Sequence, residues 1–249
     1  MTSLPAFAIF DLDGTLVDSQ EGILRSFRST LDELGLNPTD ERLKSLIGPP
    51  LEESFAQLGI AGRDLDGVVE RYRDFYAASG VLLCRLYDGV PAMLAGLERR
   101  GVRMGVATSK RVDFANQVLG FLGVAHFFET VSGASLDGKL TSKIDIVGEA
   151  LAHLQPAEPR KVWMVGDREY DVRASSFHGL VPIGVLWGYG SRDELAASGA
   201  EILVEDPREL LELEEAFEGG DPVCWVHLLC PTCGVVRGGE HRSDQCEGP

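Results

Sequence analysis

Five short apolar runs, rich in β-branched residues, recur along the chain and predict buried strands. They cover residues 7–10, 102–107, 162–165, 182–186 and 201–204, the last from its apolar core 202–204. Stretches with helical period lie between most of them, at 89–100, 112–122 and 143–154. Continuous hydrophobic strands that alternate with helices are typical of a parallel sheet covered on both faces. The pattern therefore predicts an α/β fold whose ligand binds beyond the carboxyl ends of the strands.

Residues 19–87 interrupt this alternation with a series of helical patterns. These lie at 20–35, 40–46, 51–58 and 64–79, and no strand pattern of comparable strength occurs among them. We expect a helical insertion just after the first strand, with the chain returning to the sheet near residue 88. A linker-like EGGDP run follows Phe217, where the composition changes. The predicted units are a core of 1–18 and 88–218, a helical segment of 19–87 and a tail of 219–249.

The charge balance restricts the partners that the protein can bind. Acidic residues outnumber basic ones by 39 to 23 among the 249 residues, which gives a formal net charge of -16. Such a surface repels nucleic-acid phosphates, so we expect no nucleic-acid partner. No apolar run approaches the roughly 18 residues that a membrane span needs, and the first residues lack the pattern of a signal peptide. The sequence predicts a cytoplasmic protein without a membrane partner, and it leaves the oligomeric state open.

Polar side chains end three of the predicted strands. AIFD ends at Asp11, GVATSK ends at Thr108, Ser109 and Lys110, and WMVGD ends at Asp167. Because the carboxyl ends of parallel strands meet at one edge of a sheet, these groups are expected to share a site. Asp171 follows Asp167 by four residues and lies one turn further along if a helix begins there.

Asp11 and Asp13 are like charges only two positions apart, and such a pair needs a chemical reason. Paired carboxylates bind a hard cation such as Mg²⁺ through oxygen, and they also divide nucleophilic and acid/base work. A carboxylate that attacks phosphorus forms an aspartyl phosphate, and Asp13 is placed to protonate the leaving alcohol. Gly14 and Thr15 fit a sharp turn after the strand. Thr108, Ser109 and a lysine supply donors for the phosphoryl oxygens.

The ordered set DLDGT, ATSK, a later lysine and GDREYD resembles the four motifs of the haloacid dehalogenase superfamily, over residues 7–206. The resemblance implies a Rossmann-like core, with residues 19–87 as the small helical cap of that family. It also implies roles for particular residues. Asp11 would be the nucleophile and a Mg²⁺ ligand, and Asp13 the general acid/base with its main-chain carbonyl on the metal. Thr108 and Ser109 would hold the phosphate, and Lys143 would balance the negative charge of nucleophile and phosphate. Asp167 would complete the metal site, and Asp171 would support it.

Several residues keep a second interpretation. Lys139 competes with Lys143 for the charge-balancing role, and we favour Lys143 because the start of a helix helps to hold an anion. Lys110 and Arg111 are predicted to be charges at the rim of the site. Arg168 is left open between a surface position and a contact with substrate.

The residue types also narrow the reaction. Members of the superfamily that cleave carbon–halogen bonds lack an aspartate at the position of Asp13, so this residue favours phosphoryl transfer. The run GDREYDVRAS…GVLWGYGSRDEL resembles the phosphoglycolate phosphatase-like branch, which implies a Mg²⁺-dependent phosphatase for a small phosphorylated metabolite. Nucleotidase, pyrophosphatase and phosphomutase activities stay open. Candidate contacts from the helical segment are Arg25, Lys44 and the loop 47–50. A second set consists of aromatic residues, which we predict to form the core of the segment, with stacking on a nucleotide as the alternative: Phe55, Tyr72, Phe75 and Tyr76.

The tail carries a separate signal. Cys230 and Cys233 have the C-x2-C spacing of zinc knuckles. Either His241 and Cys246 or Cys224 and His227 would complete a set of four Zn²⁺ ligands. A second C-x2-C is missing, so the alternative of a tail without metal stays open. A zinc-binding tail would make the chain a binding module with phosphatase activity as a secondary function.

Overall fold

The computed structural model describes residues 5–200 and 202–217, and a parallel sheet forms its centre. In chain order the strands are β1 (Phe7–Phe10), β2 (Val17–Asp18), β3 (Arg85–Leu86), β4 (Arg103–Arg111), β5 (Phe128–Ala134), β6 (Val162–Gly166), β7 (Val181–Val185) and β8 (Ile202–Val204). Six of them form the main sheet in the order β5-β4-β1-β6-β7-β8, and every neighbouring pair is parallel. The predicted Rossmann-like α/β fold is confirmed.

Helices surround this sheet. In chain order they are α1 (Gln20–Glu33), α2 (Asp40–Lys44), α3 (Leu51–Ala56), α4 (Arg63–Phe75), α5 (Val90–Arg99), α6 (Val112–Phe121), α7 (Lys143–Leu154), α8 (Glu169–His178), α9 (Arg192–Ser198) and α10 (Glu209–Phe217). A π-helical turn, Tyr76–Gly80, continues α4, and short 3-10 turns lie at Ala125–Phe127 and Pro159–Lys161. No helix among the described residues is both long and apolar enough to cross a bilayer.

The central strand β1 explains why the sheet needs cover on both faces. All four of its residues are buried, and alternate side chains join different core clusters. Ala8 and Phe10 pack in the larger cluster, which includes side chains of α5, α6 and α10. Phe7 and Ile9 pack in a second cluster with side chains of α7. Packing on both faces therefore fixes the strand, and the residues that follow it start from a rigid position.

The helical segment after β1 has its own aromatic core. The ring of Phe27 in α1 lies 5.3 Å from that of Phe55 in α3 and 4.8 Å from that of Tyr72 in α4. Gly22 lets α1 approach the π-helical turn, because a Cβ at that position would overlap the carbonyl group of Gly80. Strands β2 and β3 pair antiparallel where the chain leaves and re-enters the parallel sheet. The division at residues 19–87 stays a prediction.

Two differences from the sequence-based strands matter for the site. Strand β5 was not predicted, because it lies at the edge of the sheet and carries Glu129, Thr130 and Ser132 in place of a continuous apolar run. Strand β4 continues to Arg111 instead of ending at Ala107, and its pairing with β5 shifts register between Thr108 and Arg111. The predicted tail boundary and the candidate Zn²⁺ ligands lie outside the described residues.

Candidate active site

Asp11 follows β1 directly and is buried at the carboxyl end of the sheet. Its main-chain N–H donates to the carbonyl of Val165 in the neighbouring strand β6, at 2.9 Å. The chain then turns through Gly14, whose φ of +90° lies in the region that favours glycine. A Cβ at Gly14 would also overlap Asp167 and Tyr189. The turn therefore depends on glycine, and it brings the DLDGT segment against the end of β6.

Lys143 is the first residue of α7, and its side chain reaches back to Asp11. Its ammonium nitrogen lies 2.6 Å from Oδ1 of Asp11 and 2.7 Å from Oδ1 of Asp171. Lys139 instead is exposed and pairs with Asp137 at 2.8 Å. The structure thus brings Lys143, and not Lys139, to the aspartate cluster.

Asp167 directly follows β6, and two hydrogen-bond donors hold its carboxylate. Its Oδ1 accepts a hydrogen bond from the hydroxyl of Thr15 at 3.2 Å, and its Oδ2 accepts one from the main-chain N–H of Tyr189 at 2.8 Å. Asp171 lies in the first turn of α8 and accepts from the main-chain N–H of Arg168 at 3.1 Å. Both carboxylates are buried.

These three carboxylates form a donor set that fits a hard cation. Asp11, Asp167 and Asp171 each offer an oxygen within 4.8 Å of the others. Burial raises the pKa of Asp11 to about 6 against the opposing charge of Lys143. Burial, followed by the charges of Asp11 and Asp171, holds the pKa of Asp167 well above its ordinary range. Oxygen ligands with excess negative charge are those that Mg²⁺ prefers, so the residues fit this ion.

Asp13 takes a different position from the other carboxylates. Its side chain is outside the carboxylate set, and its Oδ1 accepts a hydrogen bond of 2.5 Å from the hydroxyl of Ser19. Its Oδ2 lies 3.0 Å from the ammonium nitrogen of Lys110. Asp13 is therefore held at the cavity that Asp11 also lines, with its side chain apart from the set of three carboxylates. Its predicted metal contact is through the main-chain carbonyl alone.

The prediction of Lys110 as a rim charge is wrong. Only 7% of its side chain is exposed, and besides Asp13 it donates to the hydroxyl of Tyr76 at 2.7 Å. The physical reason is the extension of β4 with its irregular pairing to β5, which carries Lys110 into the interior. Arg111 is nearer to the prediction, since it forms an ion pair with Asp113 at 2.6 Å.

Thr108 and Ser109 lie near the end of β4 and line the same cavity as Asp11 and Asp13. Thr108 is buried, and its hydroxyl accepts a hydrogen bond of 3.1 Å from the main-chain N–H of Lys110. Thr108, Ser109 and Lys110 thus line the cavity into which Asp11 and Asp13 also extend.

The helical segment contributes the opposite wall of this cavity, and that wall is largely apolar. It is lined by Ile23, Phe27, Leu46, the loop 47–50, Leu51, Glu52, Tyr72, Arg73 and Tyr76. The loop 47–50 therefore lies where the sequence predicted a substrate contact. Arg25 and Lys44 do not, because Arg25 is exposed and paired with Glu21 at 2.6 Å, and Lys44 is exposed outside the cavity.

Arg168 and the segment after β7 were not assigned from the sequence. Arg168 pairs with Glu194 at 2.8 Å and donates to the main-chain carbonyl of Ile47, so it joins the segment between β6 and α8 to the helical segment. Tyr189 accepts a hydrogen bond from the main-chain N–H of Ser19 at 3.1 Å. The signal in the sequence was WGYG, since a Cβ at Gly188 or Gly190 would overlap Asp167.

Comparisons with known proteins agree with this geometry. The sequence profile described as haloacid dehalogenase-like hydrolase matches residues 8–185. The chain belongs to this family. It is 37% identical to a predicted phosphatase from Clostridium acetobutylicum of known crystal structure, with a TM-score of 0.81 over 85% of this chain and 98% of that one. With the family shown and such a relative, the chain is a haloacid dehalogenase-like phosphatase.

Two curated proteins are similar to most of this chain. The tyrosine-protein kinase PtkA of Mycobacterium tuberculosis is 39% identical over 214 residues, which are 86% of this chain and 72% of PtkA. The 5'-nucleotidase of Pseudomonas aeruginosa is 38% identical over 194 residues, which are 76% of this chain and 86% of that protein. The names differ in reaction and substrate, so these must be argued from the site.

Proposed function

We propose that this phosphatase hydrolyses the phosphomonoester of a small metabolite, with Mg²⁺ as cofactor and through an aspartyl phosphate on Asp11. The observation that carries the proposal is the position of the Asp11 carboxylate. It opens on the cavity shared with Thr108 and Ser109, and Lys143 fixes its Oδ1 at 2.6 Å. A carboxylate held in this way attacks phosphorus with its other oxygen.

Asp11, Asp167 and the main-chain carbonyl of Asp13 would hold the ion, with Asp171 in support. Bound there, Mg²⁺ supplies positive charge that offsets the buried carboxylates and the phosphate. Lys143 supplies a second positive charge, 2.6 Å from Oδ1 of Asp11. Both charges act in a buried site, where electrostatic stabilisation of the transition state is strongest.

In the first half of the proposed reaction, an Asp11 oxygen bonds to phosphorus while the bond from phosphorus to the leaving oxygen breaks. Asp13 gives its proton to that oxygen, and the alcohol departs. In the second half, Asp13 accepts a proton from water, whose oxygen bonds to phosphorus and releases Asp11 with inorganic phosphate. The hydroxyls of Thr108 and Ser109 donate to the phosphoryl oxygens throughout.

The substrate class is proposed from the cavity wall. A phosphorylated carboxylic acid such as phosphoglycolate would need a free cation, but the cations that line the cavity are already paired, so the lining does not favour this class. The pairs are Arg73 with Glu52 at 3.3 Å, Arg111 with Asp113, and Lys110 with Asp13. A mononucleotide is the second candidate, because the 5'-nucleotidase of Pseudomonas aeruginosa is 38% identical to this chain.

The test is phosphate release, with and without Mg²⁺, over a panel of phosphoglycolate, 5'-mononucleotides, sugar phosphates and pyrophosphate. We expect one class to be preferred and activity to vanish in Asp11→Asn. A second arm supplies ATP and a tyrosine-containing peptide, since PtkA carries the name of a tyrosine kinase. Phosphotyrosine without phosphate release, or full activity in Asp11→Asn, would overturn the proposal.

A further inference from the structure

Three side chains from three parts of the chain form a continuous contact at the edge of the site. The hydroxyl of Tyr76, in the π-helical turn, lies 2.7 Å from the ammonium nitrogen of Lys110. The same nitrogen lies 3.0 Å from Oδ2 of Asp13 and 4.4 Å from the centre of the Tyr76 ring. Lys110 therefore connects the helical segment to the residue proposed as acid and base.

The burial of Lys110 has an energetic cost that its partners must offset. A buried ammonium loses its hydration and is tolerated only with partners of good geometry. Asp13 supplies the charge and Tyr76 supplies both an acceptor and an aromatic face. Lys143 already serves Asp11, so the two aspartates of DLDGT have separate lysines. Lys110 is thus the lysine that forms the ion pair with Asp13.

The local backbone is irregular on both sides of this contact. Strand β4 loses regular register with β5 between Thr108 and Arg111, around Lys110. Tyr76 begins a π-helical turn, a form that occurs mostly as a short insertion and often at functional sites. The irregular end of β4 carries Lys110 to Asp13, and the π-helical turn carries the hydroxyl of Tyr76 to Lys110.

We propose that Lys110 is the residue that positions Asp13 for proton transfer, and that Tyr76 completes this position when the helical segment is seated on the sheet. The inference rests on the proposed function, in which Asp13 protonates the leaving oxygen. A carboxyl group has about four lone-pair sites, so the contacts with Ser19 and Lys110 leave room on Asp13 for the transferred proton. Lys110 itself keeps its protons and does not touch the substrate in this proposal.

The test compares two esters that differ mainly in how much help the leaving oxygen needs. The phenolate of 4-nitrophenyl phosphate leaves without full protonation, whereas that of phenyl phosphate depends more on the acid. We measure kcat/KM of both esters for the full chain, Lys110→Met, Tyr76→Phe and the control Lys139→Met. The control removes an exposed lysine that pairs only with Asp137 among the described residues.

General acid catalysis contributes about 10²- to 10⁴-fold, so we expect Lys110→Met to lose about 100-fold on phenyl phosphate and about threefold or less on the nitrophenyl ester. Tyr76→Phe keeps the ring and loses the hydroxyl, so we expect the same direction with a loss of about fivefold. Lys139→Met should leave both values unchanged. If Lys110→Met does not fold, Tyr76→Phe carries the test.

Equal losses on the two esters would overturn the inference, because they indicate that Lys110 binds phosphate or only supports the fold. An unchanged ratio in Tyr76→Phe would remove the role of the helical segment. Failure of the proposed function has a different signature: the wild-type chain cleaves neither ester, or Asp11→Asn cleaves them, and either result overturns the role of Lys110 with it.

Discussion

Lys143 and Asp11 form a buried ion pair of 2.6 Å although 132 positions separate them in the sequence. Each side chain has less than a tenth of its surface exposed. Burial alone would lower the pKa of Lys143, but the charges of Asp11 and Asp171 outweigh it and raise that pKa. Lys143 is therefore a permanent positive charge inside a cluster of acids.

Replacing this lysine separates its electrostatic role from its bulk. In Lys143→Met the three carboxylates lack their cation, and breaking a buried ion pair costs about 3–5 kcal/mol. We expect a lower Tm without metal and a larger stabilisation by Mg²⁺ than in the wild type, because the ion then neutralises the acids alone. Thermal unfolding in EDTA and in Mg²⁺ measures both. Equal Mg²⁺ shifts in the variant and the wild type would contradict this account.

The raised pKa of Asp11 makes metal-free stability depend on pH. The ordinary value is 3.8 and the folded value is about 6, so folding favours the protonated form. The contribution of this group is fully present below the ordinary value and is lost as pH rises through about 6. Mg²⁺ should therefore raise Tm more at about pH 7.5 than at about pH 5. A shift of the same size at both pH values would show that Asp11 is not part of the cation site.

Gly14 offers a test of the turn that brings the motif to Asp167. Gly14→Ala strains a φ of +90° and overlaps Asp167 and Tyr189, so we expect loss of activity and a marked fall in Tm. Gly35→Ala is the matched control, with a φ of +69° but open space around the Cβ. That change should cost only about 1 kcal/mol and leave activity unchanged. Similar activities of the two variants would refute the steric role of Gly14.

The cavity wall leads to a prediction about the two basic residues first considered for substrate binding. Arg25→Met and Lys44→Met should change kcat/KM by less than about twofold for the preferred substrate, because surface charges of this kind contribute little. Both side chains lie away from the cavity wall. A substrate-specific rise in KM of tenfold or more in either variant would place that residue in the binding site after all.

Much of the fold and the motif positions followed from local sequence. Strand β1 matched its predicted range because a central strand is apolar on both faces. Lys143 was preferred to Lys139 from its place at a helix start, and the structure puts it beside Asp11. Edge strand β5 was not predicted because Glu129, Thr130 and Ser132 interrupt its apolar pattern.

The sequence did not predict the positions of Lys110 and Tyr76, for another reason. Their contact joins a strand end to the helical segment, and neither hydrophobic period nor motif spacing encodes such a distance. The sequence assigned Tyr76 to the core of the helical segment, and its side chain is buried there. The hydroxyl of Tyr76 contacts Lys110, whose position depends on the irregular end of β4. Tertiary contacts of this kind become visible only in the folded chain.

The most direct test of the central claim is to identify the residue that carries phosphate during turnover. The full chain is mixed with its preferred substrate and Mg²⁺, quenched in acid and treated with borohydride, which reduces an aspartyl phosphate to homoserine. Mass spectrometry of the peptide that contains Asp11 and Asp13 then locates the change. We predict homoserine at position 11 and an unmodified Asp13. Active turnover with both aspartates intact, or with the change at another residue, would contradict the mechanism.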